Sequence, residues 1–465
     1  MVHQRLTGGR YDDGRADVPG GIARPVERVV VVGAGIAGLT VANALTQGRI
    51  ECVVVEARTR IGGRLHTVDL GGSPVDMGGS WIHHPIGNPL RVFADQVGVG
   101  CRPSNPLPTL GGFDCGQGRR LSTAEVNDSV VLQFDAFPQA LDRLRAELGP
   151  DASAAAAIEA FVDRTDLGSD DARMARQALR AAVEADAADL PERQSLRWLW
   201  NEIEYGGDYF GDCPTMGYQS LVSAMAAGLD VRLGVEAAAI TVSNGGVRVQ
   251  CTGGATEDGS HAVVTVPLGV LQRSALHFSP PLPPDRIAAI DRLGFGRYEK
   301  VALRFDRPFW HETGLSHLMV FPRDPDTSTL WVFDLAAFGV GPLLECHLFH
   351  RAASRMVDAS GHDAVEWVLR MLGEAIGHPL VPTGTAVSSW STDPYCGGAY
   401  THVPPGASPA EVDLLGEPIH GRVLFAGEHT QSVRTGYADG AMTSGIREAK
   451  RLLGQSAVGL GRLAH

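Results

Sequence analysis

The sequence has few features of a metal site, a disulfide scaffold or a membrane span. Seven cysteines are spread through 465 residues without a CxxC pair or a His/Cys cluster of metal-ligand spacing, which predicts reduced thiols and no metal. No apolar run approaches the roughly 20 residues that a membrane helix needs. Basic residues are outnumbered, and the net charge of −13 argues against a nucleic acid or an anionic membrane as partner. These absences together predict a cytoplasmic protein.

The sequence also lacks the motifs of common hydrolases. It has no Ser/His/Asp set with nucleophile-elbow spacing and no HExxH motif. The composition, 44% hydrophobic and 20% charged, is normal for a globular protein. A chain of this length exceeds one ordinary core, so we expect two domains. Residues 1–27 are polar and rich in Gly and Asp, and they predict a flexible N-terminal extension.

A strand, a glycine turn, a helix and a second strand follow one another from residue 28. The β-branched run at 28–32 leads into a GxGxxG turn, a helix is predicted at 39–47, and the second strand at 50–55 ends in Glu56. This unit is typical of a dinucleotide site, where Glu56 would accept the ribose hydroxyls and repel the extra phosphate of NADP. The alternative, a glycine-rich turn without a ligand, is disfavoured by the second strand and the acid.

Each residue of the turn has a physical role in such a site. Gly33 permits the tight turn, Gly35 lets the backbone approach a pyrophosphate, and Gly38 lets helix and strand pack closely. Ile36 and Ala37 belong to the turn that leads into the helix, whose N–H groups and positive dipole end favour phosphate.

The residues after the second strand distinguish FAD from NAD. Ile61-Gly62-Gly63-Arg64 would bring a second close backbone approach, at Gly63, and a cation, Arg64, to the same pyrophosphate. NAD enzymes of this fold usually continue into a helix at this point. We therefore predict FAD as the cofactor.

The rest of the chain predicts a second domain that interrupts the first. We assign 28–87, 230–283 and 390–465 to the FAD-binding domain, and 88–229 with 284–389 to a substrate-binding domain. The predicted fold class is α/β: a Rossmann-like FAD domain of the glutathione-reductase type plus an α+β substrate domain, both discontinuous in sequence. The elements predicted for the substrate domain are helices at 136–148, 151–162, 170–186 and 363–376 and strands at 300–305, 318–321, 330–333 and 343–349.

Several polar residues are candidates for chemistry. Lys300 alternates with apolar neighbours in a strand, which predicts a lysine near the interior, able to hold a water or polarise an imine; the alternative is an edge-strand lysine facing solvent. His83 follows Trp-Ile in a turn, where it either reaches a site or is merely hydrogen-bonded. Glu202 and Glu204, with Asp208 nearby, either attract an ammonium group or form a solvated acidic loop.

The segment from 425 to 441 combines a strand end, a glycine turn and a helix start. Its backbone N–H groups are suited to the polarised O2 atom of a flavin, and Glu428 is suited to ribityl hydroxyls.

At these residues the chain resembles the flavin-containing amine oxidase family, which includes monoamine oxidases, polyamine and spermine oxidases, and the lysine-specific histone demethylases. The matching stretches are ordered along the chain from residue 29 to about 453. They are 33–38 with Glu56 and 62–64, then 79–83, Lys300 with 306–310, Trp390 with 397–400, and 425–440.

The resemblance implies roles for individual residues. Lys300 is similar to the lysine that holds a water against flavin N5, and Tyr400 and Tyr437 to the aromatic pair that sandwiches the substrate amine. His83 is similar to a histidine that lines the substrate tunnel of polyamine oxidases. The further residues that the resemblance implies in FAD binding are Ala57, Arg58, Gly79, Ser80, Trp81, Val235, Pro267, Trp390, Gly427, Glu428, Gly436 and Tyr437.

The sequence departs from the family in two ways. Ala399 stands where monoamine oxidases carry the cysteine that links to the flavin, and Cys396 lies three residues earlier, so we predict non-covalent FAD. The chain also lacks the long helical insertion expected of a chromatin-bound demethylase.

The resemblance implies an oxidase of small-molecule amines, with O2 as acceptor and an imine and H2O2 as products. A di- or polyamine is the first expectation, and a primary monoamine also fits the tyrosine pair. An L-amino acid oxidase is the nearest alternative; it needs an arginine for the substrate carboxylate, and Arg434 and Arg102 are candidates. The alternative of another class is a binding protein like the Rab GDP-dissociation inhibitors, which share the nucleotide fold without using flavin. A homodimer is left open.

Overall fold

A computed structural model describes residues 21–23, 25–201, 205–324, 327–357 and 361–454. The chain has an α/β fold, which confirms the predicted class; its division into two domains stays a prediction. The helices are α1 (Ile36–Gln47), α2 (Pro89–Gln96), α3 (Thr123–Val126), α4 (Leu132–Leu148), α5 (Ala154–Val162), α6 (Ser169–Ala187), α7 (Gln219–Ala226), α8 (Leu268–Gln272), α9 (Pro284–Arg292), α10 (His350–Val357), α11 (Gly361–Ile376), α12 (Pro409–Leu415) and α13 (Ala438–Leu453).

The strands are β1 (Arg28–Val32), β2 (Glu51–Glu56), β3 (Thr67–Asp69), β4 (Pro74–Asp76), β5 (Cys101–Pro103), β6 (Gly111–Asp114), β7 (Arg119–Leu121), β8 (Asp212–Pro214), β9 (Val231–Leu233), β10 (Ala237–Ser243), β11 (Gly246–Cys251), β12 (Thr256–Gly259), β13 (His261–Val264), β14 (His277–Ser279), β15 (Gly294–Phe295), β16 (Tyr298–Arg304), β17 (Leu318–Phe321), β18 (Leu330–Asp334), β19 (Leu343–Phe349), β20 (Gly384–Val387), β21 (Thr401–His402) and β22 (Val423–Phe425).

A five-stranded parallel sheet is built around β1, in the order β22-β13-β1-β2-β9. The valines of β1 are buried on both faces, because Val29 and Val31 belong to one apolar core and Val30 and Val32 to another. Burial on both faces is the reason that the strand is continuously apolar rather than alternating. The predicted strand–helix–strand unit is confirmed, with the helix beginning at Ile36 because Gly35, in an extended conformation, forms its N-cap.

A seven-stranded mixed sheet has the order β20-β16-β19-β18-β17-β6-β7. The predicted strands at 318–321 and 343–349 are confirmed at their stated bounds. Helix α11 packs on one face of this sheet, against a core that contains Val301 and Leu303. Helix α6 packs in the core on the other face, which contains Ala302 and Phe349. The sheet is therefore covered on both sides, and polar groups between β16 and β19 are shielded from solvent.

Helices α2 and α7 pack in the same core as α1, through residues that include Phe93 and Leu221. Both helices come from the stretch 88–229, which the sequence assigned to the substrate domain. The predicted domain boundaries are not tested by this packing, and they stay predictions. No helix in the described part of the chain is long and apolar enough to cross a membrane.

Glu184 of α6 is a buried acid that gives a testable pH dependence of stability. It is 3% exposed, and among the described residues its Oε2 atom has no hydrogen-bond partner. Burial raises the pKa of Glu184 from its usual 4.5 to about 7. Because the folded-state pKa is raised, the contribution of Glu184 to stability is fully present below pH 4.5 and is lost as the pH rises through 7.

We predict that the free energy of unfolding of Glu184→Gln, relative to that of wild type, rises by about 2 kcal/mol from pH 5 to pH 8, because glutamine has no proton to lose. Urea denaturation at both pH values measures this difference. Glu374→Gln, on an exposed position of α11, serves as the control and should show no such change. The prediction is contradicted if the free energies of unfolding of Glu184→Gln and wild type differ by the same amount at pH 5 and pH 8.

Candidate active site

A cavity of about 820 Å³ joins the two large sheets. At one end it touches the carboxyl ends of β1 and β2, where ligands of parallel α/β sheets bind. In the middle it passes over the face of β16 and β19. Its far end reaches helices α4 and α6. The lining residues that mark these three parts are Gly33, Gly35 and Glu56, then Tyr298, Lys300 and His347, then Phe134, Leu141 and Ala185.

The glycine turn after β1 forms a cradle with open space on its cavity side. Gly33 has a φ of 107°, which a glycine accepts readily. A Cβ atom added to Gly35 would meet no atom within 4 Å, although this residue caps α1 and lines the cavity. Gly63 approaches the same place, since its added Cβ would lie 3.5 Å from the Gly35 Cα atom. The chain therefore leaves room for a pyrophosphate at the N-terminus of α1.

Glu56 ends β2 with its carboxylate held in place. Its Oε2 atom accepts a hydrogen bond from the Ala34 N–H at 2.7 Å, and its Oε1 atom accepts one from the Arg58 N–H at 2.9 Å. The Val235 N–H donates to the Glu56 carbonyl at 2.9 Å, which brings β9 and its following loop to the same edge. Because each carboxylate oxygen can accept a further bond, Glu56 can still receive ribose hydroxyls.

Arg64 is fixed beside the cradle by a buried acid. Its Nη1 atom donates to Glu428 at 2.8 Å and to the Ala399 carbonyl at 2.7 Å. Burial is the largest single effect and acts to raise the pKa of Glu428. The charge and hydrogen bond of Arg64, with His429 and the Thr401 N–H, together lower that pKa below its ordinary value. Glu428 also accepts from the Gly436 N–H at 3.0 Å. The pair therefore ties the segment after β2 to the start of α13.

Trp390 is held rigidly between these segments. Its indole N–H donates to the Met77 carbonyl at 2.8 Å, and its backbone N–H donates to Glu299 at 3.0 Å. The side chain is 7% exposed and lines the cavity. A flat apolar wall is thus available next to the Gly78–Ser80 turn, and the residues present on this side of the cavity fit a flavin.

Lys300 lies inside the seven-stranded sheet, between β20 and β19, and is 1% exposed. The alternative of a solvent-facing edge lysine is therefore wrong. Its Nζ atom donates to the Asp76 carbonyl at 2.9 Å, to Glu345 at 2.9 Å and to the Ser80 hydroxyl. An ammonium group has three donors, so a water on Lys300 would have to displace one of these oxygens. The water-holding role stays a prediction.

Tyr400 and Tyr437 lie near each other in the cavity wall. An added Cβ on Gly436, the neighbour of Tyr437, would lie 3.6 Å from the Tyr400 ring. The Tyr400 hydroxyl donates to the Ala185 carbonyl, and burial keeps its pKa well above the ordinary value. The Arg434 guanidinium covers one face of Tyr437 at 3.9 Å from the ring centroid. One face of the Tyr437 ring is therefore occupied by a cation–π contact.

His83 meets the Tyr437 ring edge-on, with 5.5 Å between centroids. Its Nδ1 atom lies 2.6 Å from the Tyr209 carbonyl oxygen. A carbonyl only accepts, so Nδ1 carries the proton and Nε2 is left with a lone pair. Burial lowers the pKa of His83 to about 4, and the ring is therefore neutral at pH 7.

Most of the predicted site residues line this one cavity. The exceptions are Gly38, Glu202 and Glu204. Gly38 is not among the lining residues; its added Cβ would meet the Gly33 carbonyl oxygen at 2.0 Å, which fits its predicted packing role. Glu202 and Glu204 lie outside the described residues, so their predicted substrate contacts stay predictions. The predicted residues that line the cavity are Gly33, Gly35, Ile36, Ala37, Glu56, Ala57, Arg58, Gly63, Arg64, Gly79, Ser80, Trp81, His83, Val235, Pro267, Lys300, Trp390, Tyr400, Gly427, Glu428, Gly436 and Tyr437.

Sequence reasoning missed the polar groups that surround Lys300. Glu345 and His347 occupy alternate positions of β19, whose other residues are apolar. This alternation is a signal that could have found them, because positions two apart in a strand share a face. Asp76 was missed because it acts on Lys300 through its backbone carbonyl. Its carboxyl is also buried, which raises the pKa to about 6.

Comparison with known proteins agrees with this geometry. Residues 36–453 match the family described as flavin containing amine oxidoreductase. The chain belongs to this family. Membership confirms the predicted family and FAD as the cofactor that it implies; non-covalent attachment stays a prediction.

Proteins named as a polyamine oxidase and as histone demethylase homologues are similar to this chain. Polyamine oxidase 4 of Oryza sativa subsp. japonica is 31% identical over 92% of this chain and 90% of its own length. Lysine-specific histone demethylase 1 homolog 3 is 34% identical in Oryza sativa subsp. indica, over 91% of this chain and 54% of that protein. The homolog 3 of Arabidopsis thaliana is 29% identical over 92% of this chain and 30% of its own length. The chain thus spans about a third to a half of these demethylase homologues.

The glycine cradle gives a matched pair of predictions. Gly35→Ala should fold with an unchanged melting temperature, because the added methyl meets no protein atom, yet it should bind little FAD, because that methyl occupies the open space. Gly38→Ala should instead lose stability, since its methyl would meet the Gly33 carbonyl oxygen. Flavin absorbance per polypeptide and the melting temperature of the apoprotein separate the two effects. A Gly35→Ala variant that retains full FAD would contradict the assignment.

Proposed function

We propose that this chain is an FAD-dependent oxidase of amines, acting on a C–N bond with O2 as acceptor. One observation carries the proposal: a single cavity connects the predicted dinucleotide cradle to a buried lysine and to a pair of tyrosines. These groups come from segments far apart in sequence, and their roles are the ones that the family resemblance implies. The family match favours this enzyme over a flavin-free binding protein.

FAD, when bound, supplies the two-electron oxidation that no side chain can perform. The chain supplies binding, orientation and electrostatics. Gly35, Glu56 and Arg64 would hold the dinucleotide, while Trp390 and the Lys300 region would border the ring system. Their positions are fixed by the hydrogen bonds described above.

The amine is held by neutral groups. The Tyr400 phenol stays protonated, and the aromatic rings of Tyr400 and Tyr437 would attract a cation. Because His83 is neutral above about pH 4, its Nε2 atom can accept a hydrogen bond from the amine without repelling its charge. These contacts orient the substrate, and the surrounding apolar walls exclude water.

The far end of the cavity favours a substrate with a second positive charge. Asp135, Asp142 and Asp186 line this part of the cavity. Arg145 lines it too and pairs with Asp142 at 3.0 Å. The carboxylates of Asp135 and Asp186 would attract a distant ammonium group. This supports a di- or polyamine as first substrate and fits a primary monoamine less well. The relatives named for histone lysine demethylation also suggest a cationic amine, a methylated lysine.

The L-amino acid oxidase alternative gains little support from the two candidate arginines. Arg434 lines the cavity, but its Nε and Nη2 atoms donate to Asp439 at 2.7 and 3.1 Å. Its charge is therefore already balanced by a carboxylate. Arg102 is not among the residues that line the cavity.

A peroxide-coupled screen of the purified, FAD-loaded protein tests the substrate class. The panel consists of spermine, spermidine, putrescine, tyramine, a dimethyl-lysine peptide and common L-amino acids. We expect turnover with the di- and polyamines, because they can place one amine at the tyrosine pair and another near the carboxylates. Turnover confined to L-amino acids, or peroxide formation with none of the panel, would contradict the proposal.

We predict that Lys300→Met retains FAD but slows turnover by roughly 10²-fold or more, because a charge aimed at the reacting region is removed. The variant should also lose about 3–5 kcal/mol of stability, since Glu345 is left buried without its cation. Stopped-flow turnover, flavin content and urea denaturation measure the three quantities.

The double variant Lys300→Met/Glu345→Gln serves as the control for that stability loss. Glutamine removes the unpaired charge, so stability should largely return while turnover stays low. If turnover returned together with stability, the effect of Lys300 on the rate would be structural only.

A further inference from the structure

A chain of four polar side chains lies under the cavity and contains residues that the proposed function does not use. Three of the side chains are buried, and that of Tyr298 is partly exposed. It consists of Tyr298 and Lys300 of β16 and Glu345 and His347 of β19. In the antiparallel pairing of these strands, Lys300 stands opposite His347 and Ala302 opposite Glu345. All four side chains therefore emerge on the same face of the sheet.

Hydrogen bonds connect the four groups in series. Glu345 Oε1 accepts from Lys300 Nζ at 2.9 Å and lies 2.7 Å from His347 Nε2. The other ring nitrogen of His347, Nδ1, is hydrogen-bonded to the Tyr298 hydroxyl. Glu345 and His347 are 3% and 1% exposed. The imidazole is also packed between rings, with its centroid 4.5 Å from that of Phe333 and 5.4 Å from that of Trp81.

The charges of the series decide which atoms donate. Burial acts to raise the pKa of Glu345, but the Lys300 ammonium and the His347 hydrogen bond lower it to about 2, so Glu345 is a carboxylate that only accepts. His347 Nε2 must then carry the proton. Burial lowers the pKa of His347 to about 4, so its Nδ1 is an unprotonated acceptor at pH 7. The Tyr298 hydroxyl is therefore the donor to His347.

This arrangement leaves the Tyr298 oxygen with lone pairs only. Tyr298 lines the cavity, and its ring centroid lies 6.1 Å from that of Tyr400. An ordinary phenol can rotate its hydrogen toward a ligand, but the hydroxyl hydrogen of Tyr298 is already donated to His347 Nδ1. The oxygen can accept a hydrogen bond from a ligand, and it has no proton to donate to one.

We propose that Glu345 and His347 are positioning residues that hold Tyr298 as an acceptor-only subsite, which selects ligands that bear an N–H group. The inference rests on the proposed function, since it concerns the amine of that same cavity. It separates protonated or neutral amines, which can donate, from quaternary ammonium ions, which carry the same charge without a donor. The aromatic walls alone would accept both kinds of cation.

Two monocations with the same alkyl chain test the subsite, n-octylammonium and n-octyltrimethylammonium. Binding is measured by calorimetry on FAD-loaded protein that has been reduced with dithionite under argon, so that no turnover occurs. We expect the wild-type protein to bind n-octylammonium roughly tenfold or more tightly than its trimethyl analogue, the effect of one hydrogen bond from a charged donor.

Three variants identify the origin of this preference. Tyr298→Phe removes the acceptor, so the affinity ratio should fall toward one. His347→Phe frees the hydroxyl to rotate but leaves its lone pairs, so the ratio should fall only in part. His347→Asn keeps an acceptor oxygen near the Nδ1 position and should preserve most of the ratio. Flavin content and melting temperature establish that each variant is folded; if Tyr298→Phe does not fold, the two His347 variants decide the question.

The proposal is overturned if the wild-type protein binds n-octylammonium and n-octyltrimethylammonium equally, or binds neither. It is also overturned if the ratio stays the same in Tyr298→Phe, because the size of the trimethyl group would then explain it. An unchanged ratio in His347→Phe overturns the positioning role of His347. Failure of the proposed oxidase function has a different signature, namely no peroxide from any amine. Since the calorimetry uses reduced protein, its ratio is measured whether or not turnover occurs.

Discussion

The site depends on a buried ion pair between Lys300 and Glu345. Removing two charges from water is costly, and a buried pair is tolerated only when further hydrogen bonds satisfy both groups. Here the Asp76 carbonyl and the Ser80 hydroxyl accept the other two hydrogen bonds of the Lys300 ammonium, and His347 donates one to the Glu345 carboxylate. The pair therefore fixes the β4 segment against β16 and β19. Any shift of these segments would leave a charge unsatisfied in an apolar interior, so the floor of the cavity has one arrangement.

The rest of the cavity is held by a second set of polar contacts at the dinucleotide end. Arg64 and Glu428 connect the segment after β2 with the start of α13, and Glu56 anchors the glycine turn to its own strand end. Sequence-distant pieces thus meet around one space because each contributes a charge or a backbone donor that another needs. A rigid frame of this kind suits an enzyme in which the cofactor carries the redox chemistry and the protein fixes geometry.

The parts of this account that sequence could predict are those set by local pattern. Strand β1 and helix α1 follow from a β-branched run and a glycine turn. The pattern around Lys300 left two alternatives, an interior lysine and an edge lysine facing solvent, and the folded sheet decides for the first. The His347–Tyr298 contact could not be predicted, because it depends on the register between β16 and β19, which only the folded sheet defines. The packing of α2 against α13 could likewise not be predicted, because the apolar face of an amphipathic helix does not indicate which core it will join.

An experimental structure of the FAD-loaded protein tests the central claim most directly. The account predicts that the isoalloxazine ring borders the Lys300–Glu345 pair, with Tyr400 and Tyr437 turned toward its open face. A ring located away from Lys300, or tyrosines turned outward into solvent, would contradict it.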